Sequence, residues 1–478
     1  MKTKKIYRRY NTKHTKQSKK KSSSKASSKA SSKASSKASS KVSIKTNGLK
    51  LYKNAQETRL LVMPHRNEAA TASIYFCFKV GSKNETHEIM GISHFIEHMM
   101  FKGSKKYPNY LDISKMFDAN GISFNAYTSK EVTAYHYKFL STSENLDIIC
   151  KITSDMIFNP LMRDKDIKPE RNVIIQEMKD DSDDIDEFIA EQIEHYLFKG
   201  HPLENPIIGN TKTLDHIARK HLVDYHTKYY RPDNLVISFS GKMHHDYIPI
   251  ITKYFHGAFT ESPLDNQNRT IQIIPYIDKQ NAPIIHCTPK KLEQDYIHII
   301  FKTKGYFDPL LLQYKLLSNI LGGNMSSRLF IEIREKLGYV YSIRCDLTNY
   351  EEVGYFDIYT QNEPDRTMKC IREIFNQLVK IKKQGVTEKE LLDNKKNYCD
   401  IFKTHFDDVE YENEFYNKQL LCNKPLETMS ERITRINQIK QQDIQNTAND
   451  LFNFNRVNII TFGKADQKKI NSVLKCFV

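Results

Sequence analysis

A strand running straight into an amphipathic helix occurs twice in this 478-residue sequence, about 220 residues apart. Residues 135–140 lead into a helical pattern that ends near Phe158, and residues 355–360 lead into one that runs through Phe375. A repeated unit of this kind is stable when each copy forms a sheet with helices laid on one face. The expectation is therefore an α+β fold of two homologous α/β-sandwich halves arising from an internal duplication. The halves are placed at 48–256 and 284–478. A bridge at 257–283 joins them, marked by Pro263, Pro275 and Pro283 among polar residues.

Local patterns fill in the halves. Strands are expected at 59–64 and at 71–80, where Ile74, Phe76 and Phe78 alternate with other residues. The segment 123–140 reads as a strand pair. A helix at 143–158 is given Ser143 as its cap, and further helices are placed at 167–178 and 184–198. A strand at 236–240 ends on Gly241. The second half repeats strand (296–302), helix (309–321), strand (354–360) and helix (367–384).

The charge of the chain is unevenly spread. Residues 1–45 hold 16 Lys and Arg and no acidic residue; removing these from the 73 basic residues leaves 57, equal to the 57 Asp and Glu. The body is therefore neutral, and the excess of +16 is no sign that it binds nucleic acid. The tail, residues 1–47, repeats Ser-Ser-Lys-Ala with Lys25, Lys29, Lys33, Lys37 and Lys41 four apart. With almost nothing to bury and like charges at helical spacing, it reads as disordered. Adhesion to nucleic acid or anionic surfaces is the functional alternative for it.

The eight cysteines show no two-residue spacing, so a thiolate zinc site or a disulfide framework is not expected. No apolar run is long enough for a membrane span, and the N-terminus lacks a secretory core. A cytoplasmic location is the default expectation. The acid-free, Ser-rich tail keeps organelle import open.

The most informative stretch is Gly91-Ile-Ser-His94-Phe-Ile-Glu97-His98-Met-Met. On a helix, residues four apart share a face, so His94 and His98 can present two imidazoles to one metal. Ile92, Phe95, Ile96, Met99 and Met100 supply the buried stripe. Glu97, three residues after His94, reaches the same side. Zinc in such a site contributes Lewis acidity and a water of lowered pKa, while the carboxylate takes the proton. A catalytic zinc also needs a third protein ligand. Downstream, Glu170 and Glu177 lie two helical turns apart, and either could face the metal.

Taken with these residues, further blocks carry a resemblance. They are Val80-Gly-Ser, Phe124-Asn-Ala-Tyr-Thr-Ser, residues 170–178, His201-Pro-Leu-Glu-Asn-Pro-Ile-Ile-Gly and Tyr229-Tyr-Arg-Pro-Asp-Asn. In the second half they are Leu321-Gly-Gly-Asn-Met-Ser-Ser-Arg-Leu-Phe and Arg334-Glu-Lys-Leu-Gly-Tyr-Val-Tyr341. The chain resembles the pitrilysin and insulinase superfamily of inverted-motif zinc peptidases, in its processing-peptidase-like branch, over everything after the tail.

The resemblance implies one Zn2+ per chain held by His94, His98 and Glu177, with Glu97 as general base and Glu170 supporting the ligands. Asn125 and Ala126 correspond to a strand that pairs with the bound peptide, and Arg334 and Tyr341 to a pair that contacts substrate from a metal-free second half. It further implies hydrolysis of peptides or unfolded segments, by a homodimer or with a related partner subunit. His98 and Glu177 are separated by 78 residues, two more than is usual in the family, which leaves Asp180 and Asp181 as alternatives to Glu177. The rival functions are a non-catalytic scaffold subunit of the same fold and a binding module tethered by the tail.

Overall fold

The computed structural model describes residues 48–63, 70–263 and 274–478. The Lys/Ser tail and the middle of the bridge, 264–273, lie outside the described residues.

Two sheets organise the chain. The first contains β1 (Lys50–Lys53), β2 (Arg59–Met63), β3 (Thr71–Phe78), β4 (Ser123–Thr128), β5 (Thr133–Leu140), β6 (Leu235–Gly241) and β7 (Thr260–Ser262), in the order β4-β5-β3-β6-β2-β1-β7. The second contains β8 (Ile284–Pro289), β9 (Asp295–Lys304), β10 (Ile343–Asn349), β11 (Val353–Asn362) and β12 (Asn458–Gly463), in the order β10-β11-β9-β12-β8. Strand directions repeat as well. In both sheets the first three neighbour pairs are antiparallel and the fourth, β6 with β2 or β12 with β8, is parallel. The duplication is thus present strand for strand, with β1 and β7 added to the first copy. Because β7 pairs with β1, part of the expected bridge is an edge strand of the first sheet.

Within the first half, Thr142 rather than Ser143 caps the helix Ser143–Phe158: its hydroxyl accepts the Asn145 N–H at 3.2 Å. Helices at Tyr110–Ala119, Glu388–His405 and Val409–Leu421 were not expected from sequence.

Each sheet has its own helices on one face. On β3, Ala72, Ile74, Phe76 and Phe78 point into the core under the first half's helices. The expectation of helices on one face only is corrected by what covers the other. There Tyr75 and Cys77 of β3, Leu61 and Met63 of β2 and Val236 of β6 meet Tyr416, Leu420 and Leu421 of the helix Val409–Leu421, which belongs to the second half. The exchange is reciprocal. Ile189, Ile193 and Leu197 of the helix Ile185–Leu197, from the first half, cover Ile300, Tyr355, Ile460 and Phe462 on the second sheet.

Polar pairs fix the register of the incoming helix. Ser73 Oγ donates to Val409 O at 2.9 Å, Asn413 Nδ2 to Ser73 O at 3.0 Å and Arg59 Nη1 to Leu420 O at 3.1 Å. Among the described residues no helix is long and apolar enough to cross a membrane.

Exchanged helices tie the stability of the two halves together. Leu420 is fully buried against the first half's sheet, so Leu420→Ala should cost about 2–5 kcal/mol. In urea titrations the loss should appear in probes placed in the first half as well as in the second. A change confined to second-half probes would contradict the coupling.

Candidate metal centre

The helix Ile92–Met100 begins at Gly91, whose φ of 92° favours glycine. A Cβ at Gly91 would lie 2.6 Å from Ile208 O, and one at Gly209 would lie 2.3 Å from Met90 O. The two glycines therefore let the helix start pack directly on the loop of the His201–Gly209 block. Glu85 completes this end. Its carboxylate accepts the Gly91 N–H at 2.7 Å and the Ser93 N–H at 2.9 Å, groups left without partners at a helix start. Burial pushes the Glu85 carboxyl up to about 7, against the pull of those two backbone bonds.

Ile92, Phe95, Ile96, Met99 and Met100 are fully buried, which fixes the helix's rotation and turns His94 and His98 towards the helix Asp164–Asp183. That helix is strongly polar, and only Ile167, Glu170 and Ile174 are buried along it. Glu170, Ile174 and Glu177 recur on one face at helical spacing. Arg171 anchors an adjacent side through Leu214 O at 2.8 Å and Ile217 O at 2.7 Å.

Three donor atoms converge between the two helices. His94 Nε2 and His98 Nε2 are 3.2 Å apart. Glu177 Oε2 lies 3.7 Å from the first and 3.4 Å from the second. Ligands about 2.0–2.2 Å from a tetrahedral zinc are themselves roughly 3.3–3.5 Å apart, so this donor set fits a zinc ion in both chemistry and spacing. Asp180, the neighbouring alternative, accepts instead from Gln176 Nε2 on its own helix, at 3.0 Å.

Behind the donors, Glu170 Oε1 lies 2.8 Å from His98 Nδ1, the arrangement that orients a ligating imidazole. Burial alone would raise the Glu170 carboxyl, yet its bonds to His98 and Lys102 hold it below the ordinary value. Burial likewise disfavours a charged His98. The bond to Glu170 and the carboxylates of Glu177 and Glu97 outweigh it and lift the His98 pKa to about 9 in the metal-free chain. Glu97 is 1% exposed, and its Oε2 accepts from Thr128 Oγ1 at 2.7 Å.

The other candidate residues stand elsewhere. Asn125 and Ala126 lie on β4, an edge strand of the first sheet that packs on the metal helix, and Asn125 Oδ1 accepts the Ala126 N–H at 2.9 Å. Arg334 and Tyr341 meet each other on the second half. The guanidinium sits 5.6 Å from the Tyr341 ring and 4.5 Å from the Phe330 ring, and pairs with Glu335 at 2.7 Å. Tyr341 is 76% exposed, so it is not a packed core tyrosine.

Sequence reasoning missed Glu85, Lys102 and Thr128. Lys102, four residues after His98 and ion-paired to Glu170, could have been found from its spacing. The other two reach the helix through a loop and across a strand; Thr128 stands in the 124–129 block, but no spacing ties either residue to the helix.

A metal must displace the proton that His98 carries below about pH 9. Apparent zinc affinity should therefore fall as pH drops below 9, by up to about tenfold per unit, and level off above it. Competition with a chromophoric chelator between pH 6.5 and 9.5 measures this; an affinity independent of pH would contradict the His98 assignment.

Known proteins resemble this chain in both sequence and fold. Residues 60–211 match the family model described as insulinase (peptidase family M16), and residues 216–398 match the peptidase M16 inactive domain. A Rickettsia felis protein named an uncharacterized zinc protease is 32% identical over 401 residues, spanning 84% of this chain and 93% of its own. A Bacillus subtilis protein also named an uncharacterized zinc protease is 28% identical over 393 residues, 82% of this chain and 93% of its own. Among solved structures, a protease from Helicobacter pylori superposes with a TM-score of 0.78 at 20% identity, covering 87% of this chain and 99% of that one. The chain belongs to the insulinase family of peptidases, M16, within the pitrilysin and insulinase superfamily.

Proposed function

We propose that the chain is a zinc-dependent endopeptidase that hydrolyses extended peptides or unfolded protein segments. The observation that carries this reading is the convergence of His94, His98 and Glu177 at 3.2–3.7 Å, with the carboxylate of Glu97 on the same helix. A zinc ion held by those three residues supplies a Lewis acid and lowers the pKa of water in the site.

The chain's own groups do the rest. Glu97 takes the proton from the attacking water and returns it to the leaving amine. Glu170 holds His98 in the orientation that leaves Nε2 free to ligate. The outer edge of β4 offers backbone donors and acceptors to an extended segment, a mode that reads sequence only weakly. Exposed Tyr341, stacked on Arg334, is suited to contact a substrate or a second subunit. Its place on the second half, away from His94, His98 and Glu177, fits a chamber completed by a second copy of the chain or a related subunit. The match of residues 216–398 to a domain named inactive begins after His94, His98 and Glu177 and leaves all three outside it.

Glu97→Gln should retain zinc yet lower turnover of a quenched peptide library by at least about 10²-fold; equal turnover by the two proteins would overturn the mechanism. Glu170→Gln should lower zinc affinity or activity by about 10–100-fold, measured by chelator competition and by the same peptide assay.

A further inference from the structure

We propose that Thr128 is the positioning residue for the Glu97 carboxylate. The inference rests on the peptidase reading above. Thr128 is the last residue of β4, 8% exposed, and its Oγ1–H donates to Glu97 Oε2 at 2.7 Å. A glutamate side chain turns about three bonds, and burial alone does not choose among its rotamers. A β-branched donor on a strand is stiff at χ1, so one short bond from it selects a single placement of the carboxylate.

Thr128 can serve this way because its own position is fixed. It pairs across the hairpin with Thr133, whose hydroxyl donates to Val80 O at 2.9 Å. The turn beyond it is pinned on both sides. Lys130 Nζ lies 3.0 Å from Glu194 Oε2 and also donates to Asn205 O. Glu131 Oε1 accepts from Lys83 Nζ at 2.6 Å and from the Glu351 N–H at 2.9 Å. Lys83 also bonds Glu352 at 2.6 Å, and Lys79 bonds Glu351 at 2.8 Å.

Glu351 and Glu352 form the turn between β10 and β11, which is the counterpart in the second half of the β4–β5 turn. Equivalent hairpin turns of the two copies thus lock together. Buried ion pairs of this sort add little net stability, but breaking one strands a charge, so they hold a single arrangement. The second half in this way bears on the general base without touching it.

Thr128→Val keeps the shape and the branching but removes the donor; Thr128→Ser keeps the donor. Crystal structures of the zinc-loaded wild type and both variants, with kcat, KM and zinc content, test the proposal. In Thr128→Val the Glu97 carboxylate should move by about 1 Å or more and kcat should fall about 10–100-fold, the scale that small misplacements cost. KM should stay within about twofold and zinc content should not change. Thr128→Ser should restore both the placement and the rate. Glu97 unmoved in Thr128→Val, or Thr128→Ser as impaired as Thr128→Val, would overturn the proposal. Absence of turnover by the wild type would instead count against the peptidase reading, and the position of Glu97 in Thr128→Val would then decide this inference alone.

Discussion

The two sheets bury both their faces only by taking a helix from each other. A sheet with apolar residues on both sides needs two layers of cover, and each half of this chain supplies helices for one. The second layer comes from the opposite half: Val409–Leu421 on the first sheet, Ile185–Leu197 on the second. Neither half is therefore a separate folding unit in the ordinary sense, although each repeats the other strand for strand. The exchanged helix Ile185–Leu197 follows directly on Asp164–Asp183, the helix that carries Glu170 and Glu177. Docking it on the second sheet fixes the end of the segment that completes the donor set.

The candidate metal centre concentrates acid groups around two imidazoles. Glu97, Glu170 and Glu177 surround two imidazoles in a buried setting, and the cost of that arrangement shows in the raised pKa of His98. A divalent cation among the donors relieves the mutual repulsion of the carboxylates more fully than a proton on His98 does. Lys102 pairs with Glu170 rather than with the donor set.

Much of this was legible in the sequence because the information was local. The pentad from His94 to His98 places two imidazoles and a carboxylate together by helical geometry, and Glu170 and Glu177 follow at a second helical spacing. The duplication showed in the strand–helix pair at 135–158 and 355–375. What the sequence concealed lies in contacts that cross between elements. On β3, the polar or small residues Ser73, Tyr75 and Cys77 alternate with Ile74, Phe76 and Phe78, so the strand reads as covered on one face although both are buried. The helix that covers the second face buries Glu412, Asn413, Asn417 and Gln419; the first two bond Ser240 and Ser73 of the sheet, and all four blur any apolar stripe. Thr128 and Glu97 lie 31 residues apart on different elements, and Glu85 reaches the metal helix through the turns before it.

The three residues that the family resemblance implies as ligands lie together in the structure, and family membership alone does not say that this chain holds a metal. Elemental analysis of the purified full chain, beside a His94→Ala, His98→Ala double variant of unchanged secondary structure, is the most direct test. The account predicts one zinc per chain in the wild type and none in the double variant. Stoichiometric zinc in the double variant, or a wild type that binds no zinc at neutral pH, would contradict it.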